Sequence, residues 1–190
     1  MNYIDLIKNF KPSNEQEEAD QRIMLNYVEA YQDNVLLRDN EIAHFTSSGF
    51  IMNPALDKVL LIHHNIRNAW AWTGGHADGD DDLLGVAIKE AREETGVQHI
   101  IPLTDRIASV DILPVFSHTR RGKYVNAHLH LSVAYILICE ESESLSICPG
   151  ENSGVEWLSI DKFTSEYFDN HDVYLYNKLI RFAKGLNNNQ

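Results

Sequence analysis

Glu90, Glu93 and Glu94 stand three and four residues apart in LLGVAIKEAREETGV, a segment of good helix formers. Residues at that spacing stack along one helix face, so the three carboxylates share an arc about 100° wide. Like charges so placed repel, each pair disfavouring an isolated helix by roughly a few tenths of a kcal/mol. A hard divalent cation would offset that repulsion. Magnesium takes oxygen ligands and sits between a few carboxylates and substrate phosphates, which suits this set better than zinc does. Taken alone, the trio is described as well by a solvated acidic face.

The residues before the helix narrow the choice. Gly74-Gly75-His76-Ala77-Asp78-Gly79-Asp80-Asp81-Asp82 reads as a turn into a helix start, where aspartate side chains cap free backbone N–H groups, and Gly96 stops the helix. From Gly75 to Val97 the spacing resembles the Nudix box: a glycine, an acid at Asp81, then Lys89-Glu90-Ala91-Arg92-Glu93-Glu94-Thr95-Gly96-Val97. Asp81 replaces the usual glutamate and Lys89 the usual arginine, both keeping their charge. Lysine is the weightier change, because an arginine fork holds a carboxylate bidentately and an ammonium is a point charge.

The resemblance implies a Nudix-type α/β/α sandwich with a mixed sheet, and hydrolysis of a phosphoanhydride in a nucleoside diphosphate derivative or similar small molecule. It implies Glu90, Glu93 and Glu94 as metal-binding carboxylates, Gly75 as a ligand through its carbonyl, and Mg²⁺ or Mn²⁺ as the cofactor. Glu94 is favoured for bridging metals. The proton acceptor stays open between Glu93 and a loop carboxylate, Glu151 or Glu156, which makes Glu93, Glu94 and Glu151 the expected catalytic set. Isopentenyl diphosphate isomerase shares the fold but uses a cysteine ahead of the box, and this chain has none before Cys139. A non-catalytic ligand sensor is the alternative from another class, supported only by the changes at Asp81 and Lys89.

Three further groups are candidates for substrate contact. Trp70 and Trp72 precede Gly74 on one face of a strand, where an indole either stacks on a planar group or is buried in the sheet. Arg120, Arg121 and Lys123 form the dense basic cluster of an acidic chain, fit to hold a distal phosphate or simply to solvate a hairpin tip. His128 and His130 share a strand face and His76 lies in the box loop. Two histidines on one strand can begin a zinc site, but no third ligand stands at a recognisable spacing. Pro114, beyond the box, lies close to where ADP-ribose-type members place a proline, which is weak evidence on substrate.

These residues need a scaffold. Ser13 followed by Gln16 resembles a capping box, and a helix from about 14 to 31 follows, with Ala19, Ile23, Tyr27 and Ala30 or Tyr31 on its packing face. HFTSSGFIMN and KVLLIHH, separated by Asn53-Pro54-Ala55-Leu56-Asp57, read as a hairpin. RIASVDILPVFSH and HLHLSVAYILIC read as two more strands, and Gly154 to Leu158 as a last one. A helix is expected over about 165 to 184. On the acidic helix, Leu84, Ala87, Ile88, Ala91 and Thr95 form the core stripe. Residues 1–40 are expected to form an N-terminal helical extension and 41–186 the Nudix domain.

Composition sets outer bounds. The 190 residues suit one domain, and a formal charge of −12 disfavours binding to nucleic-acid backbone or anionic membrane. The expected partner is a small-molecule diphosphate, with no nucleic acid and no membrane, and a homodimer left open. Cys139 and Cys148 are too few for a disulfide framework and are expected to be reduced. The opening MNYIDLIKNF lacks a signal-peptide pattern and no apolar run approaches about 18 residues, so a cytoplasmic location is expected.

Overall fold

The computed structural model describes residues 2–120 and 122–187. Two helices open the chain, α1 (Tyr3–Asn9) and α2 (Glu15–Tyr31), followed by a 3-10 turn at Gln32–Leu36. The N-cap of α2 is Asn14, whose side chain accepts the Glu17 N–H at 3.0 Å, while Glu17 Oε2 accepts from the Ser13 N–H and hydroxyl at 2.8 Å each. The capping box thus sits one residue beyond the expected Ser13–Gln16 pair. The packing face differs too. Glu17, Met24 and Val28 are buried, while Ile23 and Tyr31 are largely exposed. The helix turns Glu17 inward because a cation waits there: Lys178, itself buried, lies 3.2 Å from Glu17 and 2.6 Å from Asp111.

The strands are β1 (Ala43–Met52), β2 (Lys58–His64), β3 (Ala69–Ala71), β4 (Thr73–His76), β5 (Ile100–Pro102), β6 (Ser109–Val115), β7 (His118–Arg120), β8 (Lys123–Val125), β9 (His128–Cys139) and β10 (Asn152–Ser159). Eight form one mixed sheet, ordered β10-β2-β1-β9-β5, with β3 on β2, β4 on β1 and β6 on β9. The expected β1–β2 hairpin is present, with Ile51 opposite Leu60. At the centre, β1 and β9 run parallel from Ala43 opposite Leu129 to Met52 opposite Ile138. The strand expected at Trp70 is β3, whereas the short strands β4, β5, β7 and β8 were not apparent from the sequence.

Side-chain alternation along these two strands feeds two cores, one on each sheet face. Phe45, Ile51, Leu131, Val133, Tyr135 and Leu137 join α1, α2 and the box helix α3 (Leu83–Thr95). Phe50, Met52, Ala134 and Ile136 pack instead under α4 (Asn170–Asn187). The architecture is an α/β sandwich with helices on both faces. Among the described residues no helix is long and apolar enough to cross a membrane.

Candidate active site

Asp82 caps α3 by accepting the Gly85 N–H at 3.0 Å, and Gly96 closes it at φ 80°, a left-handed value that glycine adopts at no steric cost. The buried face comprises Leu83, Val86, Ala87, Ala91, Glu94 and Thr95. Leu84 and Ile88, expected in the core stripe, are only partly buried, so the helix is rotated to carry Glu94 inward with the apolar residues.

That rotation divides the glutamate trio. Glu94 is 3% exposed and accepts the Gly74 N–H at 2.9 Å, while its own carbonyl accepts from the Asn152 side chain at 2.8 Å. Glu90 is half-buried against Gly75: a Cβ built there would lie 2.4 Å from the Glu90 carboxyl carbon. Only glycine lets the strand pass so close. Glu93 faces solvent, where Lys89 lies 3.8 Å from it and 3.5 Å from Glu90. These are loose ion pairs rather than the fork an arginine would make.

Burial sets the electrostatics. It pushes the Glu94 carboxyl from 4.5 to about 8, offset in part by the Gly74 N–H and reinforced by the charges of Glu90, Glu151 and Glu93. Glu90 is raised as well, chiefly by burial, with Lys89 opposing and Glu93 and Glu151 adding. Among the described residues no cation pairs with Glu94. Glu151, in the loop before β10, belongs to the same electrostatic group, whereas Glu156 is exposed on β10. Clustered buried oxygens lacking a counter-ion, beside a strand with no side chain in the way, fit a hard divalent cation.

The other candidates lie elsewhere. Trp70 and Trp72 are half-buried against the core under α4, Trp70 edge-on to His63 and Trp72 edge-on to Tyr176. Lys123 is exposed on β8, opposite Arg120 in the β7–β8 hairpin; the Arg120 side chain and Arg121 lie outside the described residues. His76, His128 and His130 do come together, joined by His44 from β1. Sequence reasoning passed over His44, because its partners lie on strands far along the chain and only the sheet register unites them. A cleft of about 370 Å³ between the N-terminal arm and α4, lined by Phe10, Lys11, Tyr174 and Phe182 among others, contains none of the box residues.

Comparison with known proteins gives the family and the fold. The NUDIX domain family model matches residues 42–179. This chain belongs to the Nudix family. Similar solved structures include a C. elegans Ap4A hydrolase in a binary complex, 16% identical, TM-score 0.55, covering 74% of this chain and 98% of that one. A MutT protein from Methanosarcina mazei Go1 is 20% identical with a TM-score of 0.54, covering 77% and 96%. The E. coli dihydroneopterin triphosphate pyrophosphohydrolase is 14% identical with a TM-score of 0.51, covering 72% and 92%. At such identities the likeness is one of fold. No curated protein matches the sequence at a significant level.

Proposed function

We propose that this protein hydrolyses a phosphoanhydride bond in a nucleoside diphosphate derivative or a similar small molecule, with Mg²⁺ or Mn²⁺ as cofactor. The observation that carries this reading is Glu94, buried without a cation beside Glu90 and under a glycine strand. Glu90, Glu94 and the Gly75 carbonyl would hold the ion, with Glu93 at the solvent edge as a further carboxylate. The bound ion would supply positive charge against the phosphate oxygens and make water a stronger nucleophile at neutral pH.

The chain's own groups do the remaining work. The Gly74 N–H fixes one Glu94 oxygen, and the Asn152 amide holds the same residue through its carbonyl, so the carboxylate keeps its direction. Glu151, whose charge acts on both Glu90 and Glu94, is our choice to accept the proton from the attacking water. The products are two phosphorylated fragments.

Incubation with Mg²⁺ and a panel of nucleoside diphosphate compounds and dinucleoside polyphosphates, followed by phosphorus NMR, tests the proposal. Phosphorylated products from at least one compound, abolished by Glu94→Gln, support it. Binding of a panel member without turnover would replace the enzyme with a ligand sensor.

A further inference from the structure

The register of the sheet collects four imidazoles that the proposed hydrolysis does not use. His130 lies opposite His44 in the parallel β1–β9 pair, and His76 lies opposite Thr46, the next β1 residue on the His44 face. His128 shares that face of β9, two residues before His130. One ligand nitrogen from each ring falls within 4.8 Å of the others, and the ring centroids of His44 stand 4.9–5.4 Å from those of His128, His76 and His130. Gly75 turns its face toward Glu90 on α3, so the adjacent His76 points to the opposite side of the sheet.

Two of the rings are set up as ligands. His44, 4% exposed, donates its Nδ1–H to the Asn40 carbonyl oxygen at 2.9 Å. That bond leaves Nε2 as a bare lone pair, buried and with no partner of its own. His128 repeats the pattern, Nδ1–H to the Asn126 carbonyl oxygen at 2.9 Å, with Nε2 facing His130 Nε2 at 3.3 Å. Metal-bound histidines are oriented by such a bond from their other ring nitrogen. Two nitrogens on a tetrahedral zinc ion at about 2.0–2.1 Å stand about 3.3–3.4 Å apart, so this pair already has the required separation and the others need to draw in by roughly an ångström. Burial, with Arg38 and the neighbouring rings, lowers His76 to about 3 and His130 to about 2, so these two rings are neutral bases rather than parts of a cationic phosphate clamp. The nearby Asp78 carboxylate is taken up by Arg38, two contacts at 2.6 Å, and adds no ligand.

We propose that His44, His76, His128 and His130 form a closed, four-nitrogen site for a divalent transition ion of the zinc type, on the sheet face opposite the glutamates. Imidazole nitrogens favour zinc and its neighbours over magnesium, so the two sites select different ions. With four protein ligands there is no open position, which makes the ion structural. It would tie β1, β4 and β9 together beside Gly74 and Gly75.

The test uses the whole chain, stripped with a chelator and titrated with Zn²⁺ against a chromophoric competitor, together with Co²⁺ absorption spectra. The expected result is one tightly held zinc per chain and the intense visible bands of tetrahedral cobalt. His128→Ala and His130→Ala, at half-buried positions, should each weaken zinc by about 100-fold or more, while Glu90→Gln with Glu94→Gln leaves it in place. Absence of stoichiometric zinc or of the tetrahedral cobalt spectrum in the unaltered protein overturns the proposal, whatever the variants do. So does zinc that survives both histidine changes or disappears with the glutamates.

Discussion

Two groups of buried carboxylates occupy this molecule and are treated in opposite ways. Glu17 and Asp111 meet Lys178 at 3.2 and 2.6 Å, with further bonds from Ser13 and the Ser109 hydroxyl. Glu17 Oε1 is neutralised by charge alone, since it lacks the angle of a hydrogen bond. Glu90 and Glu94 are also drawn inward, yet Glu94 has one backbone N–H and Glu90 only a lysine at 3.5 Å. Where the structure needs a buried acid for its own cohesion, linking α2, β6 and α4, it supplies the cation. At the box it leaves the carboxylates charge-deficient, which is the arrangement expected where an ion arrives from outside.

The sharpest way to break this contrast is Glu94→Gln. Turnover should fall by about 10²–10⁴-fold in steady-state assays with Mg²⁺, and an unaffected rate would remove Glu94 from the chemistry. Next comes Lys178→Met, which leaves two buried carboxylates without their cation and should cost about 3–5 kcal/mol in urea unfolding. A change under about 1 kcal/mol would mean that the network is solvated.

The pH dependence separates the groups further. The folded-state pKa of Glu94, about 8, lies above its ordinary 4.5, so the native state holds the proton more tightly than the unfolded chain. Its contribution is therefore full below about 4.5, declines as pH rises and is gone above about 8. The melting temperature of the metal-free protein should fall across that window, and Glu94→Gln should flatten the fall. Because the carboxylate must lose its proton to take a metal, Mg²⁺ affinity by calorimetry should rise toward pH 8 and then level off. The smallest effect is expected from Lys89→Arg: a rise in turnover of less than about tenfold, as a fork replaces contacts of 3.5 and 3.8 Å.

The box helix was readable because its information is local: Asp82 caps it, Gly96 ends it, and the glutamate spacing carries the resemblance. Which face it buries was readable in part, since Ala87, Ala91 and Thr95 are buried as expected. The apolar stripe suggested Leu84 and Ile88, but Glu94 and Leu83 turned in, since the strand carrying Gly74 offers an N–H for a carboxylate. On α2 the same kind of error arose from Lys178, a partner far along the chain that rewards burying Glu17. The histidine cluster needed the pairing of His44 with His130 and of Thr46 with His76, and strand register between distant segments has no local sequence signal.

The parallel union of β1 with β9 also has a temporal consequence. Ala43 meets Leu129 only after the whole box segment has been made, so the central ladder closes a long loop before its contacts repay the lost chain entropy. During synthesis the glutamate helix follows β1 and β4, the strands it chiefly packs on, but emerges well ahead of β9. The nascent chain therefore carries His44 and His76 without their two mates, and the four-histidine cluster assembles only once β9 has paired with β1.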